Sequence, residues 1–304
     1  MAGRPGSRPG HNRIDVAPDA KDFDMDQART NPRVGLIGLG LMGAPVARNL
    51  LRAGLSLTCH DLDDAAVTAA VGHGATAADD SAAVAAASDV VLVIVPTNDD
   101  ARAVVAGPDG LLSGAAAGAV IVLCSSLKPE TCAELEALGR QREVEVIDAP
   151  MTGGIRAAEA GTMNLLVGGD AAALERARPA LEPISSAIHH LGAIGAGQVG
   201  KTVNNLIHWG EIVVITEALA LGAKLGVDVS RMRQALMDGS VDSKTLRELE
   251  KMKFTWHAKD LADALAMAAT VDHPMPAAEL ARDEMVAITP ERVARLLEDQ
   301  GWDG

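Results

Sequence analysis

The chain has 304 residues, which at roughly 150 per domain is enough for about two domains, each with its own core. Its 41 acidic and 27 basic side chains leave a formal charge of −14, so a nucleic-acid backbone or an anionic membrane surface would be repelled. With three Trp, two Phe and no Tyr it is poor in rings for stacking on bases, and its core must come from Ala, Val, Leu and Ile.

Met1 to Pro32 mixes Gly3, Pro5, Gly6, Pro9 and Gly10 with an aperiodic run of Asp and Ala, and reads as a disordered tail. Order starts at Arg33 to Gly38, a short apolar run bounded by glycine. Helical spacing follows from Ala44 to Ala53, giving a strand, a tight turn and a helix. Further strands are expected at Leu55 to His60, Val90 to Val95, Val120 to Cys124, Val144 to Ile147, Leu165 to Gly168 and Ile188 to Leu191, with helices at Asp79 to Ala87 and Pro129 to Arg142. That alternation implies crossover connections and a mainly parallel sheet covered on both faces. After Gly197 the strand pattern stops. A long apolar helix is expected from Lys201 to Leu225, and helical spacing returns at Val229 to Met237, Ser243 to Lys253, Lys259 to Thr270, Ala277 to Ala287 and Pro290 to Glu298. The expected fold is α/β, with a doubly wound, Rossmann-type parallel sheet over 33–194 followed by an all-helical domain over 195–304.

Gly38-Leu39-Gly40-Leu41-Met42-Gly43 fits G-x-G-x-x-G, a pattern that carries weight only through its setting. Here it follows a strand, opens a helix, and is trailed by Asp61 at the end of the second strand. Gly38 permits the sharp turn, Gly40 lets the backbone approach a pyrophosphate, and Gly43 allows the helix to pack closely on the strand. The helix start then offers N–H groups and a partial positive charge to the phosphates. Asp61 can accept hydrogen bonds from the two ribose hydroxyls of an adenosine, whereas a 2′-phosphate would meet its charge. NAD is therefore the expected cofactor and NADP the alternative. A glycine turn that merely packs, and an Asp61 that caps the helix beginning near Asp63, are the competing readings.

Cys59, Cys124 and Cys132 form no C-x-x-C pair and fit a reducing cytosol as buried small side chains. No uninterrupted apolar run reaches about 18 residues, and the N-terminus lacks the apolar core of a secretion signal, so a cytoplasmic location is expected. His189, His190, His208, His257 and His273 show no metal-ligand spacing, and no metal site is expected. Lys201 and Asn205 lie four apart and share one helix face. A lysine on an otherwise apolar helix is costly if buried without a task, although taken alone a solvated lysine near a helix start fits as well.

Together these stretches resemble the β-hydroxyacid dehydrogenase family, the group that includes 3-hydroxyisobutyrate dehydrogenase and tartronate semialdehyde reductase. Gly38 to Gly43 with Ala44-Pro45 looks like its dinucleotide turn. Asp148-Ala149-Pro150-Met151-Thr152-Gly153-Gly154 looks like its substrate loop, Gly197 to Asn205 its catalytic helix, and Lys259-Asp260-Leu261 its late K-D-L motif. The resemblance implies a catalytic Lys201, with Asn205 helping to hold the reacting oxygen. It implies that the Gly153 and Gly154 amides receive the substrate carboxylate beside Thr152, that Ser125 and Ser126 contact substrate and nicotinamide, that Lys259 lies near the cofactor, and that Val95-Pro96 closes the fourth strand of the nucleotide fold. It implies a homodimer or homotetramer. Where the family often has Asp, this chain has Leu123, and the segments from Gly239 to Lys259 and after Met285 depart from the pattern.

The chemistry so implied moves a hydride between the nicotinamide and the hydroxyl carbon of a short, 3-hydroxyisobutyrate-like acid, with Lys201 as general acid and base. An imine reductase of similar architecture using NADPH is an alternative that Lys201 and the Asp148 to Gly154 loop argue against. A non-catalytic NAD-binding protein is another. Lys259-Asp260 also reads as a surface ion pair, and His208 and Trp209 as lining for the substrate cavity.

Overall fold

The computed structural model describes residues 31–298 and 301–302. The tail expected over Met1 to Pro32 lies outside them except for its last two residues. The elements run β1 (Val34–Ile37), α1 (Gly43–Arg52), β2 (Leu57–His60), α2 (Asp64–Gly72), β3 (Thr76–Ala77), α3 (Ser81–Ala86), β4 (Val90–Val93), α4 (Asn98–Ala106), α5 (Leu111–Gly114), β5 (Val120–Leu123), α6 (Pro129–Arg140), β6 (Glu145–Asp148), β7 (Met151–Thr152), α7 (Gly154–Ala160), β8 (Met163–Gly168), α8 (Ala171–Leu181) and β9 (Ser185–Gly192). Helices follow: α9 (Ala196–Lys224), α10 (Val229–Met237), α11 (Lys244–Arg247), α12 (His257–Ala269), α13 (Pro276–Met285) and α14 (Pro290–Leu297).

The sheet order is β3-β2-β1-β4-β5-β6-β8-β7, with β9 added to β8. From β3 through β6 every pair is parallel; β8 runs antiparallel to β6 and β7 and parallel to β9. The centre of the sheet is made of strands buried on both faces, β1 (VGLI), β4 (VVLV) and β5 (VIVL), as a sheet sandwiched between helices requires. Strand order reverses between β1 and β4, which opens a crevice beyond their C-terminal ends. The turn after β1 and Val95-Pro96 after β4 both sit there.

The strands β3 and β7, each of two residues and too short to show a period, were not expected, and the helices α4, α5, α7 and α8 were not placed individually. The helix expected over Ser243 to Lys253 is instead α11 and a separate 3₁₀ turn, Leu249–Lys251. α9 has 29 residues and is long and apolar enough to cross a membrane by length and composition alone. It packs against β8 at one end and against α12 and α13 further on, burying Trp209, Ile212, Val213, Leu219 and Ala220 in the helical core. Cys59, Cys124 and Cys132 are all free and buried.

Candidate active site

The glycine turn is built as a cradle. Gly38 has φ +93°, and a Cβ there would overlap the carbonyl oxygen of Ile94 on the neighbouring strand. A Cβ on Gly43 would overlap the carbonyl oxygen of Gly38, whereas Gly40 faces open space. α1 has no side-chain cap and no acidic residue in its first turn, so its positive end is left for an anion. Leu39 is buried, Met42 half-buried and Leu41 exposed. The Asp61 carboxylate accepts the Leu39 N–H at 2.5 Å and the Asp63 N–H at 2.9 Å, tying the end of β2 to the turn. The cap of α2 is Asp63, not Asp61. An open middle glycine, a bare helix start and a carboxylate at the second strand end fit a dinucleotide.

A second site lies where α9, α12 and the loop after β5 meet. A cavity of about 270 Å³ is lined there by Ser126, Gln198, Lys201, Asn205, Lys259 and Asp260, among others. Burial pushes the Lys201 ammonium below the ordinary lysine value; Asp260 pulls it back up and Lys259 adds a further push down. Burial likewise raises Asp260, against the hydrogen bond from Trp209 and the charge of Lys201. One oxygen of Asp260 accepts both the Asn205 amide at 2.9 Å and the Trp209 indole N–H at 3.0 Å. The ion pair of Lys259 is with Asp263, at 2.7 Å, and not with Asp260. Neighbours in a helix point apart, while residues four apart share a face.

Not every candidate reaches this cavity. Ser125 is buried, its hydroxyl accepting the Val95 N–H at 2.7 Å, so of the two serines Ser126 alone lines the wall. Val95 is half-buried and Pro96 exposed just past the end of β4, and neither lines the cavity. Thr152 is buried, its hydroxyl donating to the Asn164 carbonyl at 3.0 Å. Gly153 (φ +106°) and Gly154 (φ +69°) are exposed at the start of α7, outside the cavity wall. His208 and Trp209 do not line it either. Trp209 is buried behind Asp260, and the Nδ1 of His208 lies 3.1 Å from the Thr245 hydroxyl on α11. Continued packing of α9 against α12 fills that side of the helix beyond Asn205.

Three polar residues were not singled out in the sequence. Asp260 appeared only within the K-D-L motif and as half of a surface pair, with no role of its own. Asp148, the last residue of β6, is fully buried and accepts the Gly195 N–H at 2.6 Å and the Gln198 N–H at 2.8 Å. Gln198, 2% exposed, accepts the Leu127 N–H at 3.0 Å through Oε1 and donates from Nε2 to the Ser125 carbonyl at 2.9 Å.

Comparison with known proteins covers both halves. Residues 33–195 match the profile described as the NAD binding domain of 6-phosphogluconate dehydrogenase, and residues 195–295 the profile described as NAD-binding of NADP-dependent 3-hydroxyisobutyrate dehydrogenase. A 2-(hydroxymethyl)glutarate dehydrogenase of Eubacterium barkeri is 37% identical over 235 residues, 77% of each chain. An NAD-dependent L-serine dehydrogenase of Pseudomonas aeruginosa is 38% identical over 208 residues, 68% of this chain and 70% of its own. The solved 3-hydroxyisobutyrate dehydrogenase of Mycobacterium tuberculosis with L-serine superposes with a TM-score of 0.76 at 28% identity, covering 89% of this chain and 95% of that one. The chain belongs to the β-hydroxyacid dehydrogenase family and is an NAD(P)-dependent oxidoreductase.

Proposed function

We propose that the protein interconverts a short β-hydroxy acid, 3-hydroxyisobutyrate-like, and its carbonyl form, with NAD as the preferred cofactor. When bound, the nicotinamide supplies the hydride acceptor or donor. The observation that carries this reading is a lysine whose burial holds it below its ordinary pKa, on a cavity wall with Asn205 and Ser126. In oxidation the Lys201 amine takes the hydroxyl proton; in reduction the ammonium returns it. Asn205, fixed through its amide by Asp260, orients the reacting oxygen. Gly153 and Gly154, whose positive φ suits few other residues, present backbone N–H groups to the substrate carboxylate beside Thr152. Ser125 supports this from below by holding the ends of β4 and β5 together. The cradle from Gly38 to Gly43 holds the pyrophosphate, Asp61 the adenosine ribose, and Val95, Pro96 and Lys259 flank the nicotinamide half.

We further propose a homo-oligomer built on α9. Val199, Val203, Ile207, Val214 and Leu221 are all exposed along one stripe of this helix, continued by Leu225 just past its end, which a second copy of the chain would cover.

The test is turnover of 3-hydroxyisobutyrate, serine, glycerate and 3-hydroxypropionate with each cofactor. NADH formation from at least one acid, faster with NAD than with NADP, is expected. Binding of NAD without turnover of any acid would leave a non-catalytic nucleotide-binding protein.

A further inference from the structure

We propose that Gln198, seated on Asp148, is a positioning residue that sets the spacing between the Lys201 helix and the Ser126 loop. The inference rests on the acid/base reading of Lys201. Asp148 ends β6 inside the molecule, and its two oxygens accept amides from the start of α9, at Gly195 and Gln198. The glycines around it leave the room this needs: a Cβ on Gly168 or Gly197 would come within 2.5 and 2.6 Å of its carboxylate oxygens. A buried carboxylate is costly, and burial raises Asp148 above the usual carboxylate value; the amide donors and the positive end of a 29-residue helix offset part of that cost. The helix start is thereby fixed to the rigid centre of the sheet.

From that fixed turn the Gln198 side chain reaches the loop after β5. It holds the carbonyl of Ser125 and the N–H of Leu127, one residue on either side of Ser126. Lys201 stands one turn further along the same helix face. Only a carboxamide offers one donor and one acceptor here at any ordinary pH; a carboxylate accepts only and a thioether does neither usefully. Both polar ends of Gln198 are spent on the loop, so its part is to hold Ser126 and Lys201 at one separation.

Gln198→Glu and Gln198→Met test this against the unaltered protein, using NAD and an acid it turns over. Asp148 on β6 and Cys132 on α6 neighbour position 198, and the cavity it lines also carries Glu130 on α6, Lys128 on the loop, Lys201 on α9 and Lys259, Asp260 and Asp263 on α12. Burial at this 2% exposed position, with the nearby carboxylates, favours the protonated form of the carboxyl that Gln198→Glu introduces, against the pull of Lys128, Lys201 and Lys259. In both variants NADH affinity and the KM of the acid should stay within about threefold, while kcat falls about 10- to 100-fold. Between about pH 8 and about pH 5.5, kcat of Gln198→Glu relative to the unaltered protein should recover about fivefold or more, because a protonated carboxyl again donates to the Ser125 carbonyl. Gln198→Met should show no such recovery. A Gln198→Met kcat within about twofold of the unaltered protein, or a Gln198→Glu loss that does not depend on pH, overturns the proposal.

If the unaltered protein oxidises no acid, the proposed function fails and the positioning role is read another way. The pH midpoint for modification of Lys201 by trinitrobenzenesulfonate, followed by mass spectrometry, should move up toward that of an ordinary lysine in Gln198→Met. An unchanged midpoint overturns the inference.

Discussion

Asp260 and Lys201 act on each other's protonation, and the sign of that effect is testable. Burial lowers Lys201, so kcat/KM for oxidation should rise with pH through a midpoint below the ordinary lysine value. Asp260 favours the ammonium; removing its charge in Asp260→Asn lowers Lys201 further, and the rise should move to lower pH. A move to higher pH, or none, in the pH profile would contradict this assignment. Asp61 makes a second residue-scale case. Asp61→Ala removes a charged acceptor, and NAD affinity by fluorescence titration should weaken about 10-fold or more while discrimination against NADP relaxes. The sequence makes Lys201 and Asn205 legible because residues four apart must share a helix face. It names Asp260 in a motif but hides its task, because its partners Asn205 and Trp209 lie 55 and 51 positions away and meet it only once α12 docks on α9.

At the level of elements, the turn between β1 and α1 is the least tolerant piece of backbone. In Gly43→Ala the new methyl would press on the Gly38 carbonyl. A destabilisation of about 1–3 kcal/mol is expected by denaturant unfolding, together with loss of NADH binding. Unchanged stability and affinity would show that helix and strand do not pack as described. The central strands were readable because strands buried on both faces must be apolar throughout. β3 and β7 were not, since two-residue strands are set by their neighbours' hydrogen bonds. The helix expected over Ser243 to Lys253 failed for a related reason. Its apolar residues keep helical spacing, yet after Arg247 the chain turns through Leu249–Lys251, and Glu248 is left to pair with Arg156 of α7 at 3.0 Å. Ser125 and Thr152 illustrate the limit at single residues: a motif names the hydroxyl, and only the packed strands show that it is spent on the backbone.

For the whole molecule, the long helix joins the two themes of the fold. At about 1.5 Å per residue α9 spans roughly 43 Å, with Lys201 near its start and the exposed apolar stripe along much of its length. A carboxylate at two of the stripe positions, Ile207→Glu with Val214→Glu, should convert the oligomer to single chains by light scattering. A single-chain mass for the unaltered protein would remove the α9 interface. The central claim is the proton transfer at Lys201, and single-turnover hydride transfer in Lys201→Met tests it most directly. The rate of NADH appearance on mixing the NAD-loaded protein with its acid should fall by about 10³-fold, with NADH affinity within about threefold of the unaltered protein. A rate within about tenfold of the unaltered protein would take Lys201 out of the chemistry.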